Sequence, residues 1–163
     1  HGVYVQPHLI RWIKDEWGQK IYKAPISHEQ VIDPLVADQI ASVLLQGMER
    51  KKKQHASWLE PEIISKTGTS DSRTFWFAGA TPILTTVVYV GCDDNRPLGK
   101  NVYSLATAYP LWLAVHRYLA LDAQKFSFDA RLSPVTLNWL SGQWSSVMND
   151  PEVVTLLVDH KEP

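Results

Sequence analysis

Lys66-Thr67-Gly68-Thr69 is the segment of this sequence whose residue types and spacing best suit chemistry. A lysine on a strand can aim its ammonium group into a cleft beside a nucleophile. Gly68 has no side chain, so a substrate backbone can approach closely and pair as an added strand. Thr67 and Thr69 are two residues apart and share one face of a strand, where two hydroxyls can hold a carboxylate. The backbone N–H of Thr69 can contribute to an oxyanion hole, so the segment suits acyl transfer from a peptide with a free carboxyl end.

Other residues with reactive side chains have structural interpretations that we prefer. His55 and His116 are candidate acid–base groups, but we interpret both as surface or polar helix residues. Asp93 and Asp94 resemble a metal-binding pair, but they follow a predicted strand and are typical of a turn. Cys92 has no basic neighbour to activate it, and we interpret it as a small packed residue. We therefore predict no metal site.

Three β-rich runs position the motif, and short links join them. The runs extend from Ile63 to Thr69, from Thr74 to Ala80 and from Leu84 to Gly91. Short links favour antiparallel neighbours, so we expect an antiparallel sheet with the motif strand toward one edge. Asp71 and Arg73, in the link after the motif, are candidates for the rim of the cleft.

Two helices are predicted to pack near this sheet. Asp33 can cap the first helix and Pro34 suits its first position, while Gly47 lies either inside this helix or at its end. The run from Arg50 to Lys53 is interpreted as the solvated end of this helix, with a functional basic patch as the less favoured alternative. The second helix, from about Ala108 to Ala120, is expected to cross one face of the sheet.

The two ends of the chain carry weaker signals. The runs Leu9 to Lys14 and Lys20 to Lys23 flank Gly18 and predict an outlying hairpin. Ser133-Pro134 and Asp150-Pro151 resemble helix starts, and predict helices from Pro134 to Leu140 and from Pro151 to Val158. The fold class is therefore α+β, an antiparallel sheet with packed helices. We divide the chain into residues 1–120 and a helical extension over residues 121–163, of unknown role.

The succession of motifs along residues 2–120 resembles the transpeptidase domain of the bifunctional, class A penicillin-binding proteins. In that family a KTGT strand is followed by a WF-x-G-x-TP strand and then by a V-x-V-G-x-D-x-x-x-P-L-G strand and loop. Gly2 to Ile10 resembles the family's G-x-Y-x-x-P-x-x-I segment, and Pro110-Leu111-Trp112 resembles the start of its last helix. The residues that match after the KTGT strand are Trp76, Phe77, Gly79, Thr81, Pro82, Gly91, Asp93, Pro97, Leu98 and Gly99.

The resemblance implies a DD-transpeptidase that cross-links peptidoglycan stem peptides through an acyl-serine intermediate and is trapped by β-lactams. Lys66 and Thr69 would be catalytic, and Thr67, Gly68 and Thr69 would bind substrate; no cofactor is implied. The family also uses S-x-x-K and S-x-N motifs upstream of KTG, and the sequence contains neither. We therefore expect a fragment that lacks the nucleophile, is inactive alone, and needs the missing N-terminal part of the same domain as a partner. Its uncovered apolar surface would favour a homo-oligomer.

Location and partners follow from the same resemblance and from composition. The parent would lie at the periplasmic or extracytoplasmic face of a bacterial inner membrane, anchored by a segment outside this chain. A formal net charge of −1 gives no reason to expect a nucleic-acid partner. The alternative function is a non-catalytic binding or scaffold protein on a transpeptidase-like fold, and S-x-x-K and S-x-N in the upstream sequence would exclude it.

Overall fold

The computed structural model describes residues 1–146, 150 and 152–159, which form an α+β structure with antiparallel sheets. The helices are α1 (Pro34–His55) and α2 (Ala108–Leu119). The strands are β1 (Val3–Val5), β2 (Trp12–Lys14), β3 (Lys20–Lys23), β4 (His28–Gln30), β5 (Ile64–Ser70), β6 (Thr74–Ala80), β7 (Thr85–Gly91), β8 (Leu132–Asn138) and β9 (Val153–Asp159).

The central sheet has the order β5-β6-β7, and both strand pairs are antiparallel. This arrangement confirms the three predicted strands and the position of the motif strand at one edge. Side chains alternate between the two faces because successive residues of a strand point to opposite sides. Phe75 and Phe77 of β6 are fully buried, whereas Trp76 between them is 44% exposed. One face of the sheet therefore carries the hydrophobic core.

Helix α2 packs across that buried face, as the sequence predicts. Trp112 is fully buried, its ring centroid lies 5.3 Å from that of Phe77, and its indole N–H donates to the Thr86 carbonyl at 3.1 Å. This close approach requires glycine at position 79, because a Cβ there would lie 2.7 Å from Cζ2 of Trp112. Gly79, one of the residues on which the family resemblance rests, is therefore explained by packing.

Helix α1 starts as its sequence indicates. The Asp33 carboxylate accepts hydrogen bonds from the backbone N–H groups of Leu35, at 2.9 Å, and Val36, at 3.4 Å. Gly47 lies inside the helix, which continues to His55. Met48 joins the core against the central sheet, and α1 packs beside β5 and against β9.

Two small antiparallel pairs lie near the N-terminus, and all their residues are exposed. The predicted hairpin is present as β2 and β3, with Gly18 at φ 81° in its turn. The pairing of β1 with β4 was not predicted. It joins Val3 to Gln30 and Val5 to His28 in register, and such distant partners leave no local signal.

The two helices predicted after residue 121 are wrong, because β8 and β9 occupy their place and pair along seven residues each. Their content of β-branched residues, with Thr136 opposite Thr155, favours strands over helices. Pro134 is tolerated because each strand of a two-stranded sheet has a free edge. Pro151 lies outside the described residues. The described part of the extension therefore contains an antiparallel strand pair, while the division at residue 120 stays a prediction.

Candidate functional site

Strand β5 presents the motif at an edge of the central sheet. It pairs with β6 on one side, and no other strand pairs with it within the described residues. Lys66 is exposed, and its ammonium group donates to the Thr67 carbonyl at 3.1 Å. An exposed lysine on an unpaired strand edge is available to a ligand that approaches from that side.

Thr67 and Thr69 share a face of β5, as predicted, but their hydroxyls have different surroundings. Ser104 is 1% exposed, and its hydroxyl donates to the Gly68 carbonyl. Its oxygen lies 2.8 Å from Oγ1 of Thr69, and since the Ser104 proton is already used, Thr69 is the donor in that pair. The Thr67 hydroxyl forms no hydrogen bond among the described residues, so it is free to donate to a ligand.

Ser104 is the residue near the motif that sequence reasoning missed. It lies in the loop before α2, 35 positions from Thr69. No motif marks it, and only the packing of α2 on the sheet brings it to the strand. Ser104 fixes the orientation of the Thr69 hydroxyl and hydrogen-bonds to the Gly68 carbonyl, so it stabilises the conformation of the motif.

Gly68 has no structural need to be glycine. Its φ is not positive, and a Cβ built on it would lie 3.4 Å from Cβ of Trp76, an ordinary van der Waals contact. Trp76 and Tyr89 lie side by side on the same face, with ring centroids 4.6 Å apart. The fold would accommodate a methyl group at this position, unlike at Gly79.

The motif strand lies in positive surroundings. Burial lowers the pKa of Lys51, on α1, and the nearby charge of Lys66 lowers it further. Neither lysine forms a salt bridge within the part of the chain that the structure describes. The charges of these two lysines repel each other, so this corner of the sheet favours an anion.

The two candidate rim residues lie in the turn between β5 and β6. Asp71 has φ 47°, a conformation that aspartate tolerates in turns. The Arg73 guanidinium donates to the Asn95 carbonyl, and its backbone N–H donates to the Ser70 carbonyl at 2.9 Å. Arg73 therefore ties this turn to the loop after β7.

Four other candidate residues have clear positions. His55 is exposed and Asp93 and Asp94 form an exposed turn, as interpreted. The interpretation of His116 as a surface or polar helix residue is wrong. Its imidazole is fully buried and stacked on Trp112, with ring centroids 3.5 Å apart, because α2 turns this residue toward the core. No cluster of potential metal ligands occurs among the residues described.

Comparison with known proteins gives the decisive observation. No family model matches the chain. Penicillin-binding protein 1A of Aquifex aeolicus is 32% identical over 117 residues, which cover 69% of this chain and 16% of that protein. Penicillin-binding protein 1A of Clostridium botulinum (strain Langeland) is 32% identical over 141 residues, covering 85% of this chain and 17% of that protein. The chain is a relative of the class A penicillin-binding proteins.

A further penicillin-binding protein 1A, from Rickettsia bellii, is 29% identical over 136 residues, covering 69% of this chain and 17% of that protein. The chain thus spans about one sixth of the length of these relatives. Neither helix in the described residues is both long and apolar enough to cross a membrane.

Proposed function

We propose that this chain supplies the KTG-bearing wall of a penicillin-binding DD-transpeptidase site. In this proposal a donor stem peptide lies along the outer edge of β5, and its terminal carboxylate is held by Thr67 and Thr69. Lys66 contributes positive charge beside the nucleophile. The nucleophilic serine comes from a part of the same domain outside this chain.

The observation that carries the proposal is the glycine at position 68. The fold does not need it, since a methyl group there meets only an ordinary contact with Trp76. A glycine on an edge strand weakens the strand by about 0.5–1 kcal/mol relative to alanine. The close approach of a substrate backbone to β5 explains why a destabilising glycine is present at position 68, near Lys66.

The two threonines divide the binding task. The Thr67 hydroxyl is free among the described residues, so it can donate to a carboxylate as the chain stands. Thr69 donates to Ser104, so its hydroxyl must rotate away from Ser104 before it donates to the substrate. Its backbone N–H remains the candidate donor for an oxyanion.

The reaction has two balanced steps. The serine oxygen attacks the carbonyl between two terminal D-alanines, forms an ester and releases D-alanine, which takes the proton of the serine. An amine of a second stem peptide then attacks the ester carbonyl and forms the cross-linking amide, while the ester bond breaks and the proton lost by the amine goes to the serine oxygen. β-Lactams acylate the same serine. The site would face the extracytoplasmic side of a bacterial membrane, where stem peptides occur.

A fluorescent penicillin tests the proposal. The present chain alone is expected to remain unlabelled, because it has neither S-x-x-K nor S-x-N. A longer protein that includes the upstream part of the domain is expected to be labelled covalently. In that protein Lys66→Ala is expected to slow labelling by about 100-fold, and Thr67→Val by about tenfold through loss of a hydrogen bond to a carboxylate.

Lys53→Ala is the matched control, because Lys53 is exposed and lies on α1 away from the motif. It is expected to leave the labelling rate unchanged. A labelling rate for Lys66→Ala equal to that of the unmodified protein, with melting temperature preserved, would refute the role of Lys66. Failure of the longer protein to be labelled at all would favour a non-catalytic binding protein.

A further inference from the structure

A cleft of about 510 Å³ separates the C-terminal half of α1 from the start of α2. This volume lies in the ordinary range of small-molecule sites, which is about 300–1,000 Å³. No residue of β5 lines the cleft, although Lys51 in its wall is close enough to Lys66 of that strand for their charges to repel. The proposed transpeptidase role does not use the cleft.

One wall of the cleft is polar and positively charged. It consists of Arg50, Lys51, Gln54 and His55 of α1. The spacing of these residues brings them to one side of the helix. None of them forms a salt bridge among the described residues. The charge of this wall is therefore uncompensated, unlike that of Lys52, which pairs with Glu49 and donates to two carbonyls.

This wall corrects part of the interpretation of the basic run as a solvated helix end. Lys51 is partly buried, and both burial and the charge of Lys66 lower its pKa. An anion in the cleft would relieve this repulsion. Arg50 is exposed, and its Cζ lies 5.5 Å from the ring centroid of Trp139 in a cation–π contact.

The start of α2 adds further attraction for an anion. No side chain caps this helix and no acidic residue lies in its first turn. The Tyr109 N–H already donates to the Ser104 carbonyl at 2.9 Å and Pro110 has no N–H, so the start of α2 contributes its dipole but no free N–H at these two positions. Tyr109 lines the cleft, is 5% exposed, and its buried hydroxyl has no partner among the described residues. An unsatisfied buried hydroxyl is costly, but this one has almost no accessible surface, so a ligand atom reaches it only if the Tyr109 side chain turns toward the cleft.

The opposite wall is apolar. Leu105, Pro110 and Leu113 line it, and Leu105 and Pro110 are exposed. A small inorganic anion would leave this wall uncovered, whereas an alkyl or aryl group would cover it. A cleft with one basic wall and one apolar wall therefore favours a ligand that has both a negatively charged group and an apolar group.

We propose that the cleft between α1 and α2 binds an amphiphilic anion, with a carboxylate or phosphate head against Lys51 and His55 and an apolar group on Leu105 and Pro110. The proposal is independent of the transpeptidase function. It rests on the uncompensated positive charge of one wall and the apolar character of the other, which meet in one cleft.

The test is a titration of this chain followed by ¹H–¹⁵N chemical shifts. The probes are octyl phosphate and octanoate below their micelle concentrations, octyltrimethylammonium as the cation of equal chain length, and inorganic phosphate as the head alone. Both amphiphilic anions, or one of them, are expected to shift the amides around Lys51 and Leu105. Binding of one anion alone identifies its head group as the preferred one.

Variants assign the binding to the cleft. Lys51→Gln is expected to weaken binding by about tenfold, the effect of one charged hydrogen bond. Leu105→Ser, at a 46% exposed position, is expected to weaken it by about threefold through loss of apolar contact. Lys53→Gln is the control, because it removes the same charge from the same helix outside the cleft, and it is expected to have no effect.

Four results would overturn the proposal. These are no shift with either amphiphilic anion, equal binding of octyltrimethylammonium, equal binding of inorganic phosphate, and equal weakening by the Lys53 and Lys51 variants. Each of these results concerns only ligand binding in the cleft. The transpeptidase function is tested separately, by penicillin labelling.

Discussion

Replacing Gly79 with alanine is expected to lower the free energy of unfolding by about 2 kcal/mol, whereas the same change at Gly68 is expected to be neutral or slightly stabilising. Both glycines lie in paired strands of one sheet, neither has a positive φ, and each change adds a single methyl group. The two changes are therefore matched in chemistry, and they differ in what the methyl group meets and in strand position, since Gly68 lies on the edge strand and Gly79 on the central one.

The magnitude follows from the distances. A Cβ at Gly79 would lie 2.7, 2.8 and 3.0 Å from three ring atoms of Trp112. Since carbon atoms in contact are about 3.5–4.0 Å apart, the ring must move by about 0.8 Å or more. Overpacking of a tight core costs about 1–3 kcal/mol. Strain on the Trp112 hydrogen bond to Thr86 destabilises the folded state by up to about 1 kcal/mol more. In the opposite direction, alanine reduces the conformational freedom of the unfolded chain, which raises the free energy of unfolding by about 0.4–1 kcal/mol.

At Gly68 the reduced freedom of the unfolded chain is expected to outweigh the steric strain of an added methyl group. Its Cβ would lie 3.4 Å from Cβ of Trp76, so little has to move. The gain from reducing the freedom of the unfolded chain then remains, at up to about 1 kcal/mol. In the longer protein, the same variant is nevertheless expected to slow penicillin labelling, because the methyl group obstructs the approach of the ligand to the strand.

Urea unfolding followed by far-ultraviolet circular dichroism measures both variants. The midpoint for Gly79→Ala is expected to fall with the slope unchanged, and the midpoint for Gly68→Ala to stay or rise. Equal stability of the two variants would refute the packing of Trp112 on Gly79. Normal labelling by Gly68→Ala would refute the close approach at Gly68 while leaving the packing argument intact.

Three further predictions concern stability. Ser104→Ala removes the group that ties Thr69 to the loop before α2, so it is expected to cost about 1–3 kcal/mol; an unchanged urea midpoint would contradict the contact. Burial lowers the pKa of His116, so the unfolded state binds more protons below about pH 6.5. The free energy of unfolding is thus expected to fall as the pH falls from that value, more steeply than in His116→Leu; equal pH slopes in the two proteins would exclude this. Asp33→Ala removes the α1 cap and is expected to cost about 1 kcal/mol, whereas Asp33→Asn, which keeps an acceptor, should cost less; similar midpoints for the two variants would disprove a capping role.

The parts of the fold that the sequence predicts are those set by short-range signals. The strand of Thr74 to Ala80 alternates buried and exposed positions, and its short links force antiparallel pairing. Asp33 and Pro34 mark the start of α1 by local hydrogen bonding and backbone geometry. The family resemblance adds the succession of strands and the motif at the sheet edge.

The parts that were missed depend on partners far along the chain. Pro134 is a helix-start signal in isolation, and pairing of β8 with β9 overrides it. The burial of His116 depends on which side of α2 meets the sheet, and its apolar neighbours do not decide that from the sequence. The proximity of Lys51 to Lys66 and the contact of Ser104 with Thr69 arise from helix placement. They shape the site without belonging to any motif.

The contact between α1 and the terminal hairpin has a consequence for the order of folding. In the sheet of β5, β6 and β7, each strand pairs with the next strand along the chain, so only short loops must close for the sheet to form. Ser42 of α1, however, receives the Leu157 N–H from 115 positions away, and Asp38 receives the Asp129 N–H from 91 positions away. Such contacts form slowly because the loop must close first. During synthesis the motif strand is therefore built early, and the outer side of α1 stays open until the residues of β9 emerge.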